Sequence, residues 1–209
     1  MNLKQTIVSQ FGRPHGALGQ LAGFIMAKRP SNIERNAWTL DLLDLKPDDR
    51  LLELGFGPGI AIQLASEIIH DGLIVGVDHS ETMLYQASKR NAGVIERGLV
   101  QLYLGTIETL PAFDRPFNKI CSANVVQFWS DPVSVFRKLH TLLAPGGVIA
   151  TTYMPRHSGA TNADTRAKEL EITSQLEAAG FSSITTEEKQ MSPVSAISVL
   201  GVKAGETNR

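Results

Sequence analysis

The stretch "LLELGFGPGI", Leu51 to Ile60, decides how this chain is read. Leu51 to Leu54 is a short apolar run suited to a buried strand, and Gly55, Gly57 and Gly59 follow at alternate positions. A helical pattern comes next. In an open parallel sheet, ligands bind beyond the carboxyl ends of the strands, where strand order reverses. A strand, a glycine turn and a helix start are the parts such a site is made from. The helix start adds unpaired N–H groups and a positive dipole end, which favour an anionic group.

Outward from this stretch, apolar runs alternate with helical patterns, which predicts an α/β domain on a mostly parallel sheet. The helix after the glycines is expected from about Gly59 to His70, stopped by Asp71-Gly72 with Gly72 as a left-handed cap. Strands are expected at Leu73 to Asp78, Leu99 to Gly105, within Phe117 to Val126, and at Val148 to Tyr153. Ser80 is an expected N-cap, and so is Asp131, followed by Pro132 at the first helical position. A further helix ends at Gly180. Two tail strands, near Ser183 to Glu187 and Ala196 to Val202, lack a helix between them and read as an antiparallel hairpin. Residues 1–45 read as an N-terminal helical extension or lid, broken around "KRPSN", and residues 46–209 as the ligand-binding domain, one structural domain overall.

Three ligand classes compete for the glycine turn. A phosphate-binding loop needs Lys and Ser/Thr after its last glycine, and here Ile60, Ala61 and Ile62 stand there. A dinucleotide fingerprint would place its third glycine where this chain has Ile60. The pattern is instead E-x-G-x-G-x-G from Glu53 to Gly59. A carboxylate at Glu53 is unwelcome beside a pyrophosphate and welcome beside an ammonium group. Asp78, ending the next strand, can accept hydrogen bonds from a ribose diol. A ligand with a ribose, a carboxylate and an ammonium but no phosphate satisfies all of these, and S-adenosylmethionine is such a ligand.

Five segments in order, "LLELGFGPG", "VGVDHSETM", "LGTIETLP", "NVVQFWSDP" and "LLAPGGVIA", resemble the class I S-adenosylmethionine-dependent methyltransferases, particularly small bacterial ones similar to quinone-biosynthesis methyltransferases. The resemblance runs from about Asp49 to Tyr153. It implies a Rossmann-like, seven-stranded, mostly parallel sheet with helices on both faces and the last strand antiparallel. It also implies that Glu53 and the loop Gly55, Phe56, Gly57, Pro58, Gly59 hold the methionine moiety, that Asp78 takes the ribose hydroxyls, and that His79 and Met83 border the adenine. Gly105, Thr106, Ile107 and Glu108 would meet the adenine edge, while Asn124, Val125 and Gln127 would line the sulfonium and the substrate side. Relatives commonly carry an acid where this chain has Thr106, which leaves the adenine amino contact to backbone or to Thr106.

The implied activity is metal-independent methyl transfer to a small or lipid-like organic acceptor. Two other readings stay open: a protein that binds S-adenosylmethionine without transferring methyl, and an NAD-dependent oxidoreductase, against which Glu53 and Ile60 speak. Methyl transfer is an in-line displacement, so the protein chiefly aligns reactants and excludes water. An oxygen or carbon acid would also need a base, for which Tyr153, His157 and His15 are candidates. Relatives that methylate DNA or RNA amino groups carry Asn/Asp-Pro-Pro-aromatic where this chain reads "NVVQFW". Cytosine-C5 relatives carry Pro-Cys there, and metal-dependent catechol-type relatives carry acids where Asn124 stands.

Composition agrees. Lys+Arg number 20 against Asp+Glu 21, so no bulk charge draws the chain to nucleic acid. Cys121 is the one cysteine, which excludes an internal disulfide, and its apolar neighbours make it a buried thiol. No 18-residue apolar span and no signal peptide is legible, which predicts a cytoplasmic protein. In the N-terminal segment Leu18, Leu21, Ala22 and Ile25 share a helical face, with Phe24 beside it. The expected role is a lid. The alternative, a membrane-surface helix ending in Lys28 and Arg29, is not expected on two basic residues. Arg35, Asn36 and Trp38 are candidates for substrate contact.

Overall fold

Leu51 and Leu52 are adjacent in sequence and both fully buried, yet they pack into different hydrophobic cores. Successive side chains of a strand point to opposite faces, so this strand is covered on both sides. The structure, a computed structural model, describes residues 30–205. The strand is β1 (Arg50–Leu54), one of seven with β2 (Leu73–Asp78), β3 (Val100–Leu104), β4 (Phe117–Ala123), β5 (Leu143–Tyr153), β6 (Ser182–Lys189) and β7 (Ala196–Val202). Their order across the sheet is β3-β2-β1-β4-β5-β7-β6. β1 to β5 pair in parallel, and β7 is inserted antiparallel between β5 and β6. The expected seven-stranded sheet with its antiparallel last strand is what the chain forms.

Helices cover both faces. On one, α1 (Pro30–Leu43), α2 (Ile60–Ala65), α3 (Glu81–Arg90) and the short α4 (Ala92–Glu96) bury Leu40, Leu43, Ile62, Met83 and Ala87 against Leu51, Ile74, Val100, Cys121 and Ala150. On the other, Phe136 and Leu139 of α5 (Pro132–Leu142) and Ile172 and Leu176 of α6 (Asn162–Ala178) pack on Leu52, Val75, Ile120 and Ile149. Each of the buried Leu, Ile, Val, Phe and Met side chains among them contributes about 1.5–3 kcal/mol by leaving water, which makes the two cores the main force holding the sheet. The predicted caps form: Ser80 Oγ accepts from the Met83 N–H at 3.4 Å, and Asp131 Oδ1 accepts from the Ser134 N–H at 3.1 Å.

Two boundaries differ from expectation, each for a backbone reason. α2 ends at Ala65 rather than His70: the N–H groups of Glu67 and Ile68 tighten onto the Leu64 and Ala65 carbonyls at 3.2 and 3.0 Å, and those of His70 and Asp71 turn away to the Pro47 carbonyl at 3.0 and 2.9 Å. Gly72 there is not in the left-handed region; it is needed because a Cβ would lie 1.9 Å from the Asp49 carbonyl oxygen. β5 begins at Leu143, since "APGG" pairs with the chain after β7 through Gly146 N–H to Lys203 O at 2.8 Å and Lys203 N–H to Gly147 O at 3.0 Å.

α1 covers Pro30–Leu43, so Pro30, Ser31 and Asn32 of the expected "KRPSN" break are helical, while Lys28 and Arg29 lie outside the described residues. Thr39 Oγ1 lies 2.7 Å from Thr152 Oγ1, which in turn donates to Ser198 Oγ at 3.0 Å, so a buried hydroxyl chain ties α1 to β5 and β7. The Lys119 ammonium donates to the Leu43 carbonyl at the other end of the helix. The remainder of the expected extension, with Leu18, Leu21, Ala22, Phe24, Ile25 and His15, lies outside the described residues. No helix among the described residues is long and apolar enough to cross a membrane.

Candidate active site

The chain passes from β1 to β2 and β3 on one side, then returns to place β4 on the other side of β1. The crevice between the carboxyl ends of β1 and β4 is therefore the point where strand order reverses. The glycine loop fills one side of it and Asn124-Val125 the other. A Cβ on Gly55 would sit 2.4 Å from Val125 Cγ2, so the two loops touch and only glycine fits. Gly55 and Gly57 also hold φ of 69° and 51°, in the left-handed region that favours glycine. Around Gly57 nothing lies within 4 Å of a would-be Cβ, so the loop presents open backbone there.

Two buried carboxyls flank the loop. Asp78, ending β2, accepts 2.9 Å hydrogen bonds from the N–H of Gly57 on Oδ2 and of Ser80 on Oδ1. His79 Nδ1 lies 3.8 Å from Asp78 Oδ1. Burial raises the Asp78 carboxyl above its ordinary range, and the hydrogen bonds from Gly57 and Ser80 and the His79 charge pull it back part of the way. Glu53 is buried more deeply, at 3% exposure, and its Oε2 has no hydrogen-bond partner among the described residues. Burial first, and the neighbouring Asp78 second, push it up to about 8. A buried carboxyl oxygen without a donor is costly to keep, and a cationic ligand donor would satisfy it.

The other expected site residues divide into those at the crevice and those under it. Gly105 follows β3, its N–H bonded to the Asp78 carbonyl at 2.9 Å, and Thr106 and Glu108 are exposed beside it. Ile107, Phe56 and Met83 are buried in the cores, with the Phe56 ring in the space a Gly76 side chain would need. They support the site from beneath. Asn124 stands at φ 58°, its side chain bonding both the Met154 N–H and the Met154 carbonyl at 2.8 Å. It clamps the ends of β4 and β5 together. Gln127, exposed, donates to the Asn124 carbonyl at 2.8 Å. Pro58 and Gly59 are held from α3: Arg90 Nε donates to the Pro58 carbonyl at 2.9 Å and Asn91 Nδ2 to that of Gly59 at 3.1 Å. Arg90 and Asn91 carry no motif, and their role is visible only once α3 lies against the loop.

Of the base candidates, Tyr153 closes β5, half-buried, with burial and then Asp164 and Glu171 raising its hydroxyl above the ordinary value. That disfavours a phenolate and suits a neutral hydrogen-bonding group. His157 is exposed, 4.0 Å from Asp164. His15 lies outside the described residues. A cleft lined by Asp48, Arg50, Arg115, Pro116, Asn118 and Ala144 opens at the amino ends of β1 and β4, the edge of the sheet away from these groups. Cys121 is buried, its thiol raised well above the usual value by burial and Glu53, which makes it inert.

Comparison with known proteins agrees with this geometry. A family model described as a methyltransferase domain matches residues 52–151, from β1 into β5. The uncharacterized methyltransferase YdaC of Bacillus subtilis (strain 168) is 34% identical over 173 residues, covering 83% of this chain and 92% of that protein. A demethylmenaquinone methyltransferase of Symbiobacterium thermophilum is 28% identical over 103 residues, 49% of this chain and 41% of that one. A SAM-dependent methyltransferase structure from Aquifex aeolicus superposes with a TM-score of 0.67 at 21% identity, covering 87% of this chain and 98% of that one. With an alternating-glycine loop at the switch point, two buried acids beside it and a relative matched over nearly its full length, this chain belongs to the class I S-adenosylmethionine-dependent methyltransferases.

Proposed function

We propose that the chain methylates a small or lipid-like organic acceptor without a metal ion, with the cofactor held between the glycine loop and the ends of β2, β3 and β4. The observation that carries this reading is the Oε2 of Glu53, unpartnered among the described residues and buried beside Asp78 at the edge of the loop. The residues fit the group: an ammonium satisfies Glu53, a ribose diol can hydrogen-bond to the Asp78 carboxyl, and the open backbone at Gly57 admits close approach. S-adenosylmethionine, when bound, supplies an electrophilic methyl on a sulfonium.

This chain's own part is then orientation and shielding. Glu53, ionised by the ammonium, anchors the amino-acid end, and Asp78 anchors the ribose while keeping Gly57 and Ser80 in register. Thr106, Glu108 and the backbone of Gly105 to Ile107 border the adenine, with His79 on the exposed side and Met83 beneath. Val125 and the Asn124 clamp form the wall toward the acceptor. The acceptor side lies over the ends of β4 and β5, where Tyr153 and His157 stand. The name of the demethylmenaquinone methyltransferase relative supports an organic ring acceptor. The test is calorimetric titration with S-adenosylhomocysteine and, in parallel, NADH, followed by a radiolabelled methyl-transfer screen of phenols, quinols and amines. Binding of the first alone and transfer to one of those classes is the expected result. Binding of NADH, or transfer that requires added metal, would overturn the reading.

A further inference from the structure

Arg35, on α1, is 4% exposed. Its Nη2 donates to Asn32 Oδ1, but Nε and Nη1 are buried with no hydrogen-bond partner among the described residues. No carboxylate among the described residues compensates its charge; the charged group that bears on it is Arg156, of the same sign. Burial and then Arg156 push the guanidinium down to about 9, which still leaves it charged at neutral pH. Buried guanidinium groups are ordinarily paired, and their planar fork of donors matches two-oxygen anions.

Its place in the fold is the acceptor side. Thr39, one turn along α1, donates to the Arg35 carbonyl at 2.9 Å and lies 2.7 Å from Thr152 on β5. The Thr152 carbonyl takes the Asn124 N–H at 2.9 Å, and the Asn124 amide holds Met154. Arg35 therefore lies beyond Thr39 toward the amino end of α1, at the carboxyl edge of β5, and Arg156 reaches Ser31 of the same helix at 3.4 Å. We propose that Arg35, with Arg156 beside it, is the anion-binding residue of the acceptor site, so that the methyl acceptor carries a carboxylate or phosphate group. This rests on the reading above that the acceptor binds over the ends of β4 and β5.

The test uses the full chain and Arg35→Met, melted at one ionic strength in chloride and then with benzoate, phenyl phosphate, inorganic phosphate or neutral benzamide. The expected result is a rise in wild-type Tm with at least one of the anions, absent with benzamide and lost in Arg35→Met. A rise with benzoate alone assigns a carboxylate; a rise with the phosphates alone assigns a phosphate. Arg35→Lys, which keeps the charge and loses the fork, is expected to show a reduced rise and serves if the Met variant does not fold. Equal anion responses in wild type and variant, or no response in wild type, would overturn the proposal. S-adenosylhomocysteine titration of both proteins keeps the two readings apart: its affinity is unchanged by Arg35→Met if only the anion site is lost. Its failure to bind wild type would overturn the cofactor reading instead.

Discussion

Asp78 Oδ2, at the end of β2, accepts a 2.9 Å hydrogen bond from the Gly57 N–H in the loop after β1. One carboxylate thus shapes the loop and faces the same crevice, which is expected to couple fold and binding at this contact, and Gly55 and Gly57 separate the two roles. A Cβ at Gly55 collides with Val125 and is strained at φ 69°. Gly55→Ala is expected to cost about 2–4 kcal/mol of stability. A Cβ at Gly57 meets nothing, so Gly57→Ala is expected to cost only about 1–2 kcal/mol, from its φ of 51°. It is nonetheless expected to weaken S-adenosylhomocysteine binding at least as much as Gly55→Ala does, because it fills the open backbone. Denaturant melts and calorimetry on the two variants check the split.

Glu53 predicts how stability changes with pH. Its carboxyl is raised to about 8 in the folded chain from 4.5, so over that window the folded state holds a proton that the unfolded state has lost. Stability of the ligand-free protein therefore falls as pH rises from about 4.5 to about 8, by at most about 1.4 kcal/mol per pH unit from this group. Asp78, raised chiefly by burial, acts in the same sense. Glu53→Gln is expected to flatten the slope and to be the more stable protein near pH 8. Urea melts from pH 5 to 8.5 read it, and parallel curves for the two proteins would refute the assignment.

Asn124 is expected to act on stability more than on cofactor affinity. It combines φ 58°, which asparagine tolerates better than most residues, with two 2.8 Å hydrogen bonds to the Met154 backbone. Asn124→Ala loses both bonds and keeps the strain, at a cost of about 2–4 kcal/mol. Thermal melts with and without S-adenosylhomocysteine separate that loss from any change in binding.

Much of this arrangement was legible in the sequence because local chemistry and global fold agree there. Leu51 to Leu54 and Leu73 to Asp78 read as buried strands, and Ser80 and Asp131-Pro132 read as helix starts, through side chains that act within a turn of themselves. Glu53 and Asp78 were legible as an acid at each of two strand ends. What escaped reading depends on distant partners. The chain beyond α2 turns to the Pro47 carbonyl, the start of β5 is set by Lys203, and the glycine at 72 by Asp49 rather than by its own φ. The support that Arg90 and Asn91 give to Pro58 and Gly59 spans some thirty residues of chain, and the burial of Arg35 depends on how α1 meets β5.

Whether Glu53 and Asp78 hold the cofactor is read by calorimetric titration of S-adenosylhomocysteine at pH 7 into wild type, Asp78→Ala and Glu53→Gln. The expected result is tight binding to wild type and a loss of roughly 10- to 100-fold in each variant, since a hydrogen bond to a charged group contributes about 1.5–3 kcal/mol. Unchanged affinity in both variants would contradict it, and would mean that the ligand lies elsewhere than between these two carboxyls.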